Sequence, residues 1–106
     1  MTIAILLMAG SGARFGSQVP KQFHRLSGKK IYQHTLEKFL NTQLFSRIIL
    51  VCTPEYVKQI QEEVSFTGQV YVIAGGSNRQ ESSLKGLLSC PSNTDIVVIH
   101  DAVRPF

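Results

Sequence analysis

From residue 8 the chain reads Met8-Ala9-Gly10-Ser11-Gly12-Ala13-Arg14-Phe15-Gly16, followed by Pro20-Lys21-Gln22-Phe23. Glycines at 10, 12 and 16 allow positive φ and let backbone N–H groups come close to a phosphate. Arg14 lies inside this loop and Lys21 just beyond it. Two fixed cations beside a phosphate cradle suit phosphoryl or nucleotidyl transfer, in which charge builds on non-bridging oxygens. The spacing is not the dinucleotide fingerprint, because Phe15 stands where that motif needs glycine. Nor is it a Walker A loop, since no Gly-Lys-Ser/Thr follows at the required distance. The glycines alone are also compatible with a plain turn; the cations are what favour a phosphate site.

Two further clusters could carry chemistry. Gly75-Gly76-Ser77 leads towards Gln80, and Ser77 to Gln80 has capping-box spacing, which explains both residues without a ligand. Ser82 would share a helical face with Gly86, and a small hydroxyl there can hydrogen-bond the edge of a base. Arg79 either serves a phosphate or decorates the first helical turn. The third cluster, counting the glycine-rich loop as the first, is Asp101-Ala102-Val103-Arg104. One reading is an internal ion pair. The other is a carboxylate that holds hydroxyls, or magnesium through water, with an arginine that grips a second substrate's phosphate. His100 is expected to pack or cap. No Ser/His/Asp or Cys/His arrangement is suggested, and no protein metal site with zinc spacing.

The elements that must position these clusters alternate. Residues 3–8 form an apolar run, as in a strand buried on both faces. Tyr32, Leu36, Phe39 and Leu40 recur at helical spacing. Residues 48–52 predict a second strand. Thr53-Pro54 predicts a helix start with Thr53 as N-cap, and Val57, Ile60 and Val64 as its inner face. Residues 69–74 predict a third strand. A helix is expected from Ser77, with Leu84, Leu87 and Leu88 facing inward. Residues 95–99 predict a fourth strand, ending in His100-Asp101. Four strands alternating with three helical patterns imply right-handed crossovers and a mainly parallel sheet, an α/β fold. Ligands of such sheets bind beyond the carboxyl ends of the strands, and all three clusters fall there.

Composition bounds the rest. The chain has 106 residues, 43% hydrophobic and 17% charged, which suits one small domain or part of a larger one. No apolar run reaches 18 residues, so no membrane span is expected. Arg14, Lys21, Arg25, Lys29 and Lys30 all precede the first acid, Glu37, within a net charge of +4. Such a field attracts an anion. Nucleic acid is not expected, because no basic run is interleaved with aromatics. Cys52 and Cys90 read as free thiols in a reducing compartment.

With these residues in place, the chain resembles the 2-C-methyl-D-erythritol 4-phosphate cytidylyltransferases of the non-mevalonate isoprenoid pathway. The matching segments are the two loop stretches quoted above, Gly75-Gly76-Ser77-Asn78-Arg79-Gln80-Glu81-Ser82 and His100-Asp101-Ala102-Val103-Arg104-Pro105-Phe106. The resemblance implies a three-layer, Rossmann-like nucleotidyltransferase fold, of which residues 1–106 would be the CTP-binding, N-terminal portion. It implies catalytic roles for Arg14 and Lys21. Nucleotide contacts would come from Met8, Ala9, Gly10, Ser11, Gly12, Gly75, Gly76, Ser77, Ser82 and Asp101. Asp101 and Arg104 would face the sugar-alcohol phosphate. Magnesium would be bound chiefly by CTP, and the family is homodimeric and cytoplasmic, or plastid in plants. Met8 stands where alanine is commoner, and Ser77 where an acid is common. Because the family continues past this segment, the chain is expected to bind CTP weakly at best and to turn over poorly. The nearest alternatives are a ribitol 5-phosphate cytidylyltransferase and an inactive nucleotide-binding fragment.

Overall fold

The computed structural model describes residues 1–8, 25–26 and 29–102. The order of elements is β1 (Thr2–Leu7), β2 (Arg25–Leu26), β3 (Lys29–Lys30), α1 (Ile31–Thr42), β4 (Arg47–Cys52), α2 (Val57–Glu63), β5 (Val70–Ala74), α3 (Arg79–Leu88) and β6 (Ile96–Asp101). β2 and β3 form a short antiparallel pair. The other four strands make one sheet in the order β5-β4-β1-β6, with every pairing parallel. The α/β expectation holds, and each of the four expected strands is present to within a residue or two.

β1 and β4 are central because their side chains are apolar on both faces. Ile3, Ala4, Ile5 and Leu6 are wholly buried, and Ile48, Ile49, Leu50, Val51 and Cys52 nearly so. Each fully buried Ile or Leu is worth about 1.5–3 kcal/mol relative to exposure. Successive strand residues point to opposite faces, so two separate clusters form. Ala4, Leu6, Ile48 and Leu50 pack with Tyr32 and Leu36 of α1, Ile60 of α2 and Val64 just beyond it. Ile3, Ile5, Leu7, Ile49 and Val51 form the cluster on the other face, and α3 lies over it.

That second contact departs from expectation. Leu84, Leu87 and Leu88 are not inward; they are 55%, 43% and 75% exposed. The buried residues of α3 are Ser82 and Gly86. A Cβ on Gly86 would lie 2.8 Å from Cγ2 of Ile5 and 3.4 Å from Cγ2 of Val51. The helix therefore approaches β1 and β4 so closely that only its smallest residues fit beneath it. The leucine stripe points elsewhere because bulk cannot enter this contact.

Two helix starts also differ from expectation. Thr53 precedes a 3-10 turn, Pro54–Tyr56, and its side chain makes no capping hydrogen bond; the α-helix proper begins at Val57. The N-cap of α3 is Asn78 rather than Ser77.

The packing of α3 yields a test. Gly86→Val should destabilise by about 1–3 kcal/mol through overpacking against Ile5. Leu88→Gln, at an exposed position, should stay within about 0.5 kcal/mol. Urea unfolding of both variants checks the contrast; equal costs would contradict the close approach.

Candidate functional site

All four sheet strands run the same way, so their carboxyl ends share one rim. Three backbone bonds carry the ladder one residue past the strands. Met8 N–H donates to the Val51 carbonyl (2.7 Å), Gly75 N–H to the Cys52 carbonyl (2.7 Å), and Ala102 N–H to the Leu7 carbonyl (2.9 Å). Met8 and Ala102 thus stand on neighbouring strands and Gly75 on the far side of β4, each at the root of one of the three clusters. The chain leaves β1 towards β4 and β5, then returns through α3 to β6 on β1's other side. Such a reversal of strand order is where ligands of open α/β sheets bind.

The second cluster is built in detail. Asn78 is extended (φ −146°, ψ 175°), and its side chain accepts from Glu81 N–H at 2.8 Å. The Glu81 carboxylate reaches back and accepts from both the N–H and the hydroxyl of Ser77, each at 2.7 Å. The cap is set one residue later than the Ser77–Gln80 spacing implied, and the Glu81 carboxylate returns to Ser77, the residue before the cap, where a capping box would return to the N–H of the cap itself. A carboxylate at the third helical position also suits the positive end of the helix dipole better than glutamine does. Gly76 N–H donates to the Ser82 hydroxyl oxygen at 3.1 Å, and Lys85 Nζ donates to the Gly75 carbonyl at 3.4 Å. A Cβ on Gly76 would fall 2.3 Å from Cβ and 2.7 Å from Oε2 of Glu81, so the turn requires glycine there. Ser82 is buried, Gly76 half-buried and Ser77 exposed.

At the third cluster, Arg79 Nε donates to Asp101 Oδ1 at 3.2 Å. The pair joins the start of α3 to the end of β6. With side chains 63% and 25% exposed it is worth at most about 1 kcal/mol, and its significance is geometric. Thr35 of α1, itself buried, donates its hydroxyl to the Ala102 carbonyl at 2.7 Å, fixing the same strand end from the opposite face. His100 packs its ring against Phe39, centroids 5.4 Å apart, as expected for a packing residue.

Of the expected site residues, the structure brings Met8, Gly75, Gly76, Ser77, Ser82 and Asp101 to one rim. Ala9, Gly10, Ser11, Gly12, Arg14, Lys21 and Arg104 lie outside the described residues. Among the described residues, no group of three or more His, Cys, Asp or Glu side chains could hold a metal ion. Sequence reasoning missed Asn78, Glu81 and Thr35. The first two carry a signal, because Asn78-x-x-Glu81 overlaps Ser77-x-x-Gln80 and is the stronger box. Thr35 carries none, because its bond to Ala102 spans 67 residues.

Electrostatics follow the geometry. The Ser77 hydroxyl and then its N–H hold the Glu81 carboxyl below its ordinary value. Burial, then the Glu63 carboxylate that accepts from its hydroxyl, pushes Tyr32 far up, and burial pushes the Cys52 thiol up to about 11. Cys52 and Cys90 are both free thiols.

Two measurements check this construction. Asn78→Ala should cost about 1 kcal/mol, as lost N-caps do, whereas Thr53→Ala should cost less than about 0.5 kcal/mol. In a pH titration followed by NMR, the Glu81 carboxyl should titrate below a free glutamate. Its contribution to stability is then complete above the unfolded-state pKa and disappears as the pH falls through the lower folded-state value. A Glu81 midpoint at or above that of a free glutamate would contradict the Ser77 bonds.

With the rim described, comparison with known proteins is informative. A family model of 2-C-methyl-D-erythritol 4-phosphate cytidylyltransferase matches residues 2–106. The enzyme of that name from Petrotoga mobilis is 41% identical over 110 residues, covering 100% of this chain and 48% of the relative. Its counterpart from Thermosipho africanus is 36% identical, with the same coverage of both chains. The crystal structure of 4-diphosphocytidyl-2C-methyl-D-erythritol synthase from Anaerococcus prevotii superposes with a TM-score of 0.84 at 26% identity, covering 99% of this chain and 44% of that one. The chain therefore spans about half the length of the relatives it matches. With residues 2–106 matched throughout, it belongs to the 2-C-methyl-D-erythritol 4-phosphate cytidylyltransferase family.

Proposed function

We propose that residues 1–106 form the CTP-binding portion of a cytidylyltransferase that joins CTP to 2-C-methyl-D-erythritol 4-phosphate. The observation that carries this reading is the hydrogen bonding of the turn after β5. The N–H groups of Gly76 and Ser77 are both engaged by side chains of α3's first turns. A turn so occupied is a poor phosphate nest. It offers a ligand carbonyl acceptors and the Ser82 hydroxyl instead. That chemistry suits a base bearing an exocyclic amino donor, as cytosine does and uracil does not. The glycine-rich loop after β1, with Arg14 and Lys21, remains the phosphate end of the same crevice.

In this reading the acceptor's phosphate oxygen attacks the α-phosphorus of CTP in line. A P–O bond forms on that side as the bond to the leaving pyrophosphate breaks. Arg14 and Lys21 stabilise the charge that develops on the α-phosphate oxygens. Asp101, steadied by Arg79, faces ribose or acceptor hydroxyls, and Arg104 grips the acceptor phosphate. Magnesium, when bound, would be held chiefly by the CTP phosphates and would neutralise their charge, with Asp101 a carboxylate at the rim that could assist. The full assembly is a cytoplasmic homodimer without a nucleic-acid partner. No helix among the described residues is long and apolar enough to cross a membrane.

Pyrophosphate release tests the proposal in a polypeptide of the relatives' length that carries these residues. Turnover should require CTP and methylerythritol phosphate. Release with ribitol 5-phosphate alone, or equal use of CTP and UTP, would refute the assignment. Arg14→Ala and Lys21→Ala should each lower kcat on the order of 10²–10³-fold, as loss of a transition-state donor does.

A further inference from the structure

Glu81 sits on the exposed side of α3, and no ligand contact is expected of it, yet its side chain shapes the turn after β5. Its Oε2 accepts from the backbone N–H and from the hydroxyl of Ser77. Its Cβ and Oε2 fill the space that a side chain at Gly76 would need. Its own N–H is held by Asn78. The next residue in sequence, Ser82, receives Gly76 N–H. Glu81 therefore holds the Ser77 N–H directly, beside the Ser82 hydroxyl that holds the Gly76 N–H, while the Gly75 N–H belongs to the sheet.

We propose that Glu81 is a positioning residue for nucleotide binding: its carboxylate holds the 75–77 turn in the acceptor-presenting shape against which the base docks. The proposal rests on the reading of this rim as a CTP site. A helix cap alone would account for the Asn78 bond, because that bond ends on the helix's own backbone. It does not account for Oε2, which makes both its bonds outside the helix, to the turn.

The test uses the isotopically labelled 106-residue chain, titrated with magnesium CTP to millimolar concentration and followed by amide resonances. Glu81→Ala should shift the Ser77 and Gly76 amides before any ligand is added. It should also weaken CTP binding on the order of tenfold, the effect of losing a charge-assisted hydrogen bond that shapes a site. Glu81→Gln keeps an oxygen of the same reach and should recover affinity to within about threefold of wild type by the same arithmetic. Glu81→Asp keeps the charge but shortens the arm by one methylene, and should behave as Glu81→Ala does while retaining the fold. Asn78→Ala should lower Tm and leave CTP affinity within about twofold.

Wild-type affinity in Glu81→Ala and Glu81→Asp would overturn the proposal. So would an equal loss in Asn78→Ala, because the effect would then be helix stability alone. A wild-type spectrum unmoved by CTP would overturn the CTP reading itself, a different result from a wild type that binds and variants that bind equally.

Discussion

The structure depends on two central strands that are buried on both faces. β1 and β4 have no polar side, so each face must be covered, and the two covers solve different packing problems. On one face α1 and α2 bring large residues, Tyr32, Leu36 and Ile60, to fill the space above small or branched strand residues. On the other face α3 comes down almost to backbone contact, because Gly86 meets the methyl groups of Ile5 and Val51. That close approach sets the height of α3 above the sheet. The height in turn decides whether Arg79, Ser82 and Lys85 reach the strand ends and the turn after β5.

The rim follows from this constraint. A helix lying higher above the sheet would carry Arg79 away from Asp101 and Ser82 away from the Gly76 amide. As built, α3 makes bonds to the ends of two strands that are not neighbours: Lys85 to Gly75 after β5, and Arg79 to Asp101 of β6. β4 and β1 lie between them. From the opposite face, Thr35 of α1 holds Ala102. The end of β6 is thus fixed from both layers. A binding surface whose donors and acceptors are fixed before the ligand arrives has little ordering entropy left to lose.

Much of this was legible in the sequence, for identifiable reasons. A strand buried on both faces has only apolar residues, so residues 3–8 and 48–52 announce themselves. Parallel topology follows from the alternation, and with it the placing of Met8, residues 75–77 and Asp101 on one rim. What was not legible was which face of α3 packs. Periodicity marks Leu84, Leu87 and Leu88 as a stripe, and a stripe is usually a core face. Here the close approach selects Ser82 and Gly86 instead, and closeness is set by the partner strand, 81 residues away at Ile5, not by the helix. The choice between two overlapping capping boxes failed for a related reason. Ser77 and Asn78 are both good caps, and the winner is fixed by where the strand before them ends.

In the proposed reading, the turn after β5 and the cations that follow β1 in the sequence divide the labour of recognition. An N–H group already donating to a protein acceptor adds little to an anion. The turn after β5 has its Gly76 and Ser77 N–H groups so engaged, on a serine hydroxyl and a glutamate. A carboxylate there is itself an argument against phosphate, because an anion docking beside Glu81 would meet like charge. The cations beside this turn are already engaged, Lys85 on the Gly75 carbonyl and Arg79 on Asp101, and two more, Arg14 and Lys21, follow β1 in the sequence. On that reading a ligand places its neutral, donor-bearing end at the turn after β5, and its charged end is the part left to Arg14 and Lys21. A nucleoside triphosphate has that polarity, and among the bases those with an exocyclic amine complete it. The capping chemistry of one short helix thus narrows the kind of ligand that the rim can take.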